Sequence, residues 1–377
     1  MKNLGLYIHI PFCKQKCLYC DFVSFPKREE KQGEYIEVVI QELKEKANPE
    51  YQITTIYIGG GTPSYLPLGG IKRIMQKVME LYNVWKEAEI TIEVNPGTVT
   101  KEKLEEYREV GINRISIGLQ ETDNLLLQTI GRIHTYEEFL ETYRLAKEAG
   151  FQNINVDLMI GLPGQTLENV KKSVSNIIAL NPEHVSVYSL ILEEGTPLNS
   201  KIEKGELTLP EEELERMEYW YVKNKLELAG YKHYEISNFA KPKKESKHNT
   251  SCWKQEEYLG IGLAAHSYID GVRFSNIENL EEYLQNAKQK QWGKNKIIQE
   301  MQTIEDKQKE YMLLGLRMLK GVSIQEFKAK YGNNPIYLYR NALQKLVEEK
   351  LITINLDTIK LTNKGLDLAN IVWEEFI

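Results

Sequence analysis

The chain has 377 residues, more than one small core needs and about right for a large domain with a modest second one. Hydrophobic residues make up 42% and charged residues 27%, and the net charge of -6 argues against general binding to nucleic acid or anionic membranes. No apolar stretch approaches the roughly 20 residues of a membrane span, and Met1-Lys2-Asn3 leads straight into a strand-like run without a secretory signal, so a cytoplasmic protein is expected.

From Leu4 to about Leu190 short β-like runs alternate with amphipathic helical runs, the pattern of a parallel α/β architecture. The expected strands are Gly5–Ile10, Thr54–Gly59, Glu89–Asn95, Arg114–Gln120, Asn153–Ile160 and His184–Leu190. Helices are expected at Gly33–Ala47, Ile71–Tyr82, Thr100–Val110, Tyr136–Ala149 and Thr166–Leu180. Thr135 with Glu138 forms a capping-box pattern, and Gly111 and Gly150 suit left-handed helix ends. Along the strands one parity is apolar and the other polar: Ile90, Ile92 and Val94 alternate with Thr91, Glu93 and Asn95, and Ile115, Ile117 and Leu119 with Ser116, Gly118 and Gln120. Successive strand residues face opposite sides, so one sheet face is greasy and helix-covered and the other is polar. A curved sheet with a polar concave face is a barrel or partial (β/α) barrel, TIM-like in layout, with its lumen open for a ligand.

Beyond that region Glu211–Ala229 reads as a long helix and Tyr231–Ser237 as a strand. A lysine-rich linker, Lys241–Lys247, leads to His248–Trp253 and then to a Gly-rich apolar strand running through Tyr268. The lysine run is read as a solvated linker. After about Glu278 the chain is expected to be mostly helical, with a small hairpin of Leu351–Ile354 and Thr358–Leu361 in a winged-helix-like tail. Trp373-Glu374-Glu375 makes that tail acidic, which disfavours DNA binding. The expected division is a barrel over 1–235, a linker with the His-Asn-x-x-x-Trp and Gly-rich segment over 236–277, and an α-rich, winged-helix-like domain over 278–377.

Three of the four cysteines, Cys13, Cys17 and Cys20, follow the first strand directly. Three clustered thiols in a reducing compartment point to metal rather than to disulfides. Strand ends are where β/α barrels gather their active sites. A cubane iron–sulfur cluster is normally held by four thiolates, so three leave one iron open to an outside ligand. S-adenosylmethionine (SAM) can fill that corner through its amino and carboxylate groups, and one electron from the cluster then breaks its carbon–sulfur bond. The competing readings are a zinc site, for which His9 is the only candidate fourth ligand, and inert buried cysteines.

At these residues, Tyr7-Ile-His-Ile-Pro-Phe-Cys13 through Cys20-Asp21-Phe22, the chain resembles the radical SAM superfamily. Within it the sequence is similar to the branch that holds the oxygen-independent coproporphyrinogen III dehydrogenases and the heme chaperones, over nearly its whole length. The resemblance implies a partial TIM-like radical SAM barrel with a [4Fe-4S] cluster on Cys13, Cys17 and Cys20. It also implies contact with SAM by Gly60, Gly61 and Thr62 of the Gly-Gly-Gly-Thr-Pro turn, by Glu93 of the Glu-x-Asn-Pro position, and by Gln120, Arg132 and Asp157. Tyr7 matches a tyrosine beside the sulfonium, and Tyr19 is a further candidate of that kind. No side chain is assigned a catalytic role.

The segment His248-Asn249-Thr250-Ser251-Cys252-Trp253 resembles the His-Asn-x-x-Tyr-Trp motif of the heme chaperones, with Cys252 in place of the tyrosine. Histidine and cysteine both ligate heme iron, so His248 and Cys252 are the candidate heme ligands. His266, in the run Gly260–Tyr268, also matches the family and is read as structural. Three features favour a chaperone over a dehydrogenase: no further Cys-x-Cys follows Cys20, only a few residues precede Leu4, and the His248–Trp253 segment is present. The resemblance therefore implies a protein that binds heme as cargo, passes it to a heme-accepting protein and draws on an electron donor for its cluster. Two alternatives stay open: the dehydrogenase itself, and a radical enzyme acting on another tetrapyrrole.

Overall fold

The computed structural model describes residues 1–377. Six parallel strands, Lys2–Ile10, Tyr51–Gly60, Asn83–Val94, Arg114–Gln120, Ile154–Ile160 and His184–Ser189, lie side by side in chain order. Helices Gln32–Lys46, Gly70–Leu81, Lys101–Glu109, Tyr136–Glu148 and Leu167–Leu180 connect them. The apolar parity accounts for this arrangement. Ile56, Ile58, Ile90, Ile92, Ile115, Ile117, Ile154 and Val156 all join the main core with residues of these helices, while the polar parity turns inward. Thr135 and Glu138 make the expected reciprocal cap at the start of Tyr136–Glu148.

The stretch 236–277, expected as linker and motif, is instead woven into the same sheet. Asn238–Ala240 pairs with the sixth strand, and Tyr258–Ile261 runs parallel to the first. The apolar run through Tyr268 is not one strand but two, Tyr258–Ile261 and His266–Ile269, because Gly262 turns the chain at φ +98°. Val272–Asn276 and Lys296–Met301 extend that side to a twelve-stranded sheet, which ends at Lys296–Met301 on one edge and Lys232–Glu235 on the other. The barrel is therefore partial.

The segment expected as His248–Trp253 is a short helix, Lys247–Trp253, packed against the second strand. It enters beside Gly5, Thr55 and Glu89, which lie ahead of the C-terminal strand ends. The lower lumen is thus filled rather than open. Below the strand ends Arg114, Asn155, His184 and Ser186 are all buried. His184 bridges Asn155 Oδ1 and the Tyr234 hydroxyl at 2.6 and 2.8 Å. Within the lumen, space for a ligand remains above this layer.

The C-terminal region has its own core, built around Met312, Leu316, Phe327, Leu343, Leu346, Ile359 and Phe376. Its three-stranded sheet orders Val322–Ser323, Thr358–Leu361 and Ile352–Ile354 among helices, the expected winged-helix-like layout. Arg317, from its first helix Ile304–Arg317, lies over the rings of Trp253 and Trp373 at 4.4 and 5.4 Å. That contact fastens the domain to the Lys247–Trp253 helix. No helix is long and apolar enough to cross a membrane.

Candidate functional site

The loop after the first strand folds back on itself, because Phe12–Cys13 pairs with Phe25–Pro26. Cys13, Cys17 and Cys20 are thereby brought to one cavity of about 390 Å³ at the strand ends. They do not close on one point as ligands of a single ion would. A zinc ion, with metal–sulfur bonds of about 2.3 Å, draws its thiolates to within about 4 Å of each other. Three thiols on one cavity wall suit a four-iron cube, which they would hold with one corner free. Cys13 Sγ accepts from the Thr62 hydroxyl, and Cys17 Sγ from Arg132 Nη1–H, both at 3.5 Å. Burial raises the Cys13 thiol and pushes that of Cys20 up to about 11, a balance that coordination to a metal reverses. The fourth thiol, Cys252, stands apart, beside Glu256 and Arg273.

Bare backbone forms the next wall. Gly60 has φ +111°, and a Cβ there would lie 2.5 Å from the His9 ring; at Gly61 it would lie 2.9 Å from the Phe12 carbonyl and 3.1 Å from Cys13 Sγ. Only glycine lets this strand end pass so close to the cysteine loop. Thr62 is buried and its hydroxyl accepts from Asn95 Nδ2 at 2.8 Å.

Two carboxylates face the cavity, and the groups that hydrogen-bond them are neutral. Glu93 Oε1 accepts from the Tyr57 hydroxyl at 2.8 Å and Oε2 from Gly60 N–H at 3.1 Å. Asp157 accepts from Asn155 Nδ2 at 2.7 Å and from the Ser116 hydroxyl at 3.2 Å. Burial pushes the Glu93 carboxyl up to about 7, with Asp157 adding to the rise and Arg114 opposing it; burial also raises Asp157. A cation entering this space would be favoured by both, which fits the sulfonium and ammonium of SAM.

Arg132 donates from Nη2 to Asn95 Oδ1 at 2.9 Å and to the Gly118 carbonyl at 2.6 Å, and its buried Nε has no partner. Gln120 takes a left-handed φ of +73° at a register shift between the fourth and fifth strands, a bulge that re-aims it at the rim. Tyr19 lines the same wall, its phenol against Cys17 and Arg132.

Of the residues assigned to SAM from the sequence, Tyr7 alone is absent from the cavity wall. Its hydroxyl is engaged with His9 Nδ1 at 3.0 Å and its ring stacks on Tyr57, its register partner on the second strand. The sequence reading passed over Tyr57, which occupies that place on the wall, and Asn95, which ties Thr62 to Arg132. Both sit on the polar parity, the one signal that pointed to them.

The two heme-ligand candidates part company. His248 is buried, its Nδ1 2.8 Å from the Thr55 hydroxyl and its ring stacked on Tyr57 at 5.2 Å; burial, aided by Arg114, lowers its pKa to about 4. Cys252, one turn later, keeps partial exposure. His266 is exposed at the start of its strand.

Comparison with known proteins follows the same lines. The radical SAM superfamily pattern matches residues 7–177, and the HemN C-terminal domain pattern matches residues 303–368. The chain is 38% identical to the heme chaperone HemW of Lactococcus lactis subsp. lactis (strain IL1403), across 100% of this chain and 98% of that one. It is also 38% identical to the heme chaperone HemW of Bacillus subtilis (strain 168), across 98% of each. Among solved structures it superposes on the coproporphyrinogen III oxidase HemN of Escherichia coli, a radical SAM enzyme, with a TM-score of 0.88. That match covers 100% of this chain and 90% of HemN at 24% identity, a likeness of fold.

Proposed function

This chain belongs to the heme chaperone HemW family of the radical SAM superfamily, and from that premise we propose that it binds heme and delivers it to an acceptor protein. The carrying observation is identity of 38% to two heme chaperones along essentially the whole chain, the His248–Trp253 helix included. The dehydrogenase alternative rests on a match that speaks for fold alone, and no further Cys-x-Cys follows Cys20.

The radical SAM family carries a [4Fe-4S] cluster and SAM. Cys13, Cys17 and Cys20 would hold the cluster, which supplies single electrons and an open iron corner. Gly60, Gly61 and Thr62 allow SAM close to that corner, Glu93 and Asp157 attract its positive charge, and Gln120 and Arg132 border the chamber. An external one-electron donor would reduce the cluster. Heme ligation from the Lys247–Trp253 helix falls to Cys252, which keeps partial exposure while His248 is buried; burial pushes the Cys252 thiol up to about 11, and binding to iron would deprotonate it.

The test is anaerobic reconstitution followed by a heme titration and a product assay on coproporphyrinogen III with the same preparation. The proposal expects about one heme per chain, transfer to an apo-hemoprotein, and no protoporphyrinogen. Formation of protoporphyrinogen would replace it with the dehydrogenase reading. A linear tetrapyrrole formed from heme would replace it with a heme-opening activity.

A further inference from the structure

Three rings stack in a row beneath the chamber. Tyr7 lies on Tyr57 with centroids 6.3 Å apart and planes 25° apart, and Tyr57 lies on His248 at 5.2 Å and 28°. The middle ring is the only one whose hydroxyl reaches the cofactor wall, donating to Glu93 Oε1 at 2.8 Å. The two rings stacked against it set where that phenol points. Tyr7 is held by His9. His248 is held from two sides. Its Nδ1 meets the Thr55 hydroxyl at 2.8 Å, and the backbone N–H groups of Lys247 and His248 both donate to the Glu89 carboxylate at 3.1 Å. At the far end of the same helix, Trp253 is stacked against Arg317. Gly5 leaves the space in which the imidazole sits, 3.5 Å from where a Cβ would be.

We propose that His248 is a positioning residue for Glu93, acting through the Tyr57 ring, so that the Lys247–Trp253 helix is the floor of the cofactor chamber. The histidine of this motif serves the SAM site rather than the heme iron. Glu93 keeps its carboxylate aimed at the chamber because both oxygens are held, one by Gly60 N–H and one by the Tyr57 phenol. Removing the imidazole frees one face of Tyr57 and lets the phenol drift from Oε1.

The inference rests on the chamber being the SAM site, and the experiment separates the two. Cluster-loaded wild type, His248→Ala, His248→Phe, Tyr57→Phe and the double variant His248→Ala/Tyr57→Phe are compared for SAM affinity, for the SAM-induced change in the spin-resonance spectrum of the reduced cluster, and for heme affinity. Loss of the held carboxylate should weaken SAM about tenfold in His248→Ala and equally in Tyr57→Phe. The double variant should be no worse than either single one. His248→Phe, which restores a ring to stack on, should recover most of the loss, and heme affinity should be unchanged throughout. SAM affinity in His248→Ala equal to wild type, no recovery in His248→Phe, or additive losses in the double variant would each overturn the inference. Should His248→Ala fail to fold, Tyr57→Phe and His248→Phe decide by the same criteria. Absence of SAM binding by wild type would instead remove the chamber assignment.

Discussion

Tyr57 and Glu93 join the second and third barrel strands at the base of the chamber, the phenol donating to Oε1 at 2.8 Å while the other carboxylate oxygen takes Gly60 N–H. That pair connects the glycine turn, the buried ring stack and a carboxylate aimed at a cationic ligand.

A pH dependence follows from it. Burial, reinforced by Asp157, pushes the Glu93 carboxyl up to about 7. It is therefore neutral at lower pH and charged at higher pH, and its attraction for a cation appears as pH rises. Between roughly pH 6 and pH 8 the affinity for SAM should rise about tenfold more in wild type than in Glu93→Gln. Equilibrium dialysis on cluster-loaded protein measures this, and parallel profiles would contradict it.

Gly61→Ala should separate folding from cluster loading. The new methyl would meet the backbone carbonyls of Phe12 and Ile10 at 2.9 and 3.0 Å and Cys13 Sγ at 3.1 Å, displacing the cysteine loop at the strand end while no core side chain lies among its three nearest atoms. Iron and sulfide analysis after reconstitution should show most of the cluster lost while the circular dichroism spectrum stays as in wild type. Full iron content would refute the close approach.

Cys252→Ser and the other three cysteine variants should behave oppositely. Cys252 stands apart from the chamber, so its loss leaves iron and sulfide content unchanged and weakens heme binding in a Soret titration. Serine at Cys13, Cys17 or Cys20 should abolish the cluster and leave heme binding in place.

Arg317 couples the C-terminal domain to the Lys247–Trp253 helix through Trp253, and packs on Trp373 within its own domain. Each cation–π contact contributes about 0.5–2 kcal/mol, so Arg317→Ala should destabilise the chain by about 1–3 kcal/mol. Hydrogen exchange should quicken in the 247–253 helix before it does in the barrel strands. Unchanged exchange there would mean that the domain is fastened elsewhere.

Strand parity made the barrel legible: Ile90, Ile92 and Val94 against Thr91, Glu93 and Asn95 named both the core face and the lumen face. The cysteine spacing and the glycine turn marked the chamber because each requirement is local, a few residues of one loop. The role of Tyr57 was not legible, since it arises from a stack with His248, which lies far along the chain. Lys296–Met301 was hidden for a different reason. It is exposed along its whole length at the sheet edge, so it shows no alternation to read. The closed lower lumen was also missed, because a polar residue facing a packed hydrogen-bond network, such as Asn155 or His184, looks the same in sequence as one facing water.

The account depends on three thiolates holding a cluster whose fourth corner accepts SAM. The most direct measurement is the spin-resonance spectrum of the anaerobically reconstituted and reduced protein, before and after addition of SAM. A [4Fe-4S] signal whose shape and g values change on adding SAM is the predicted result. A protein that stays colourless after reconstitution, or a cluster signal indifferent to SAM, would contradict it.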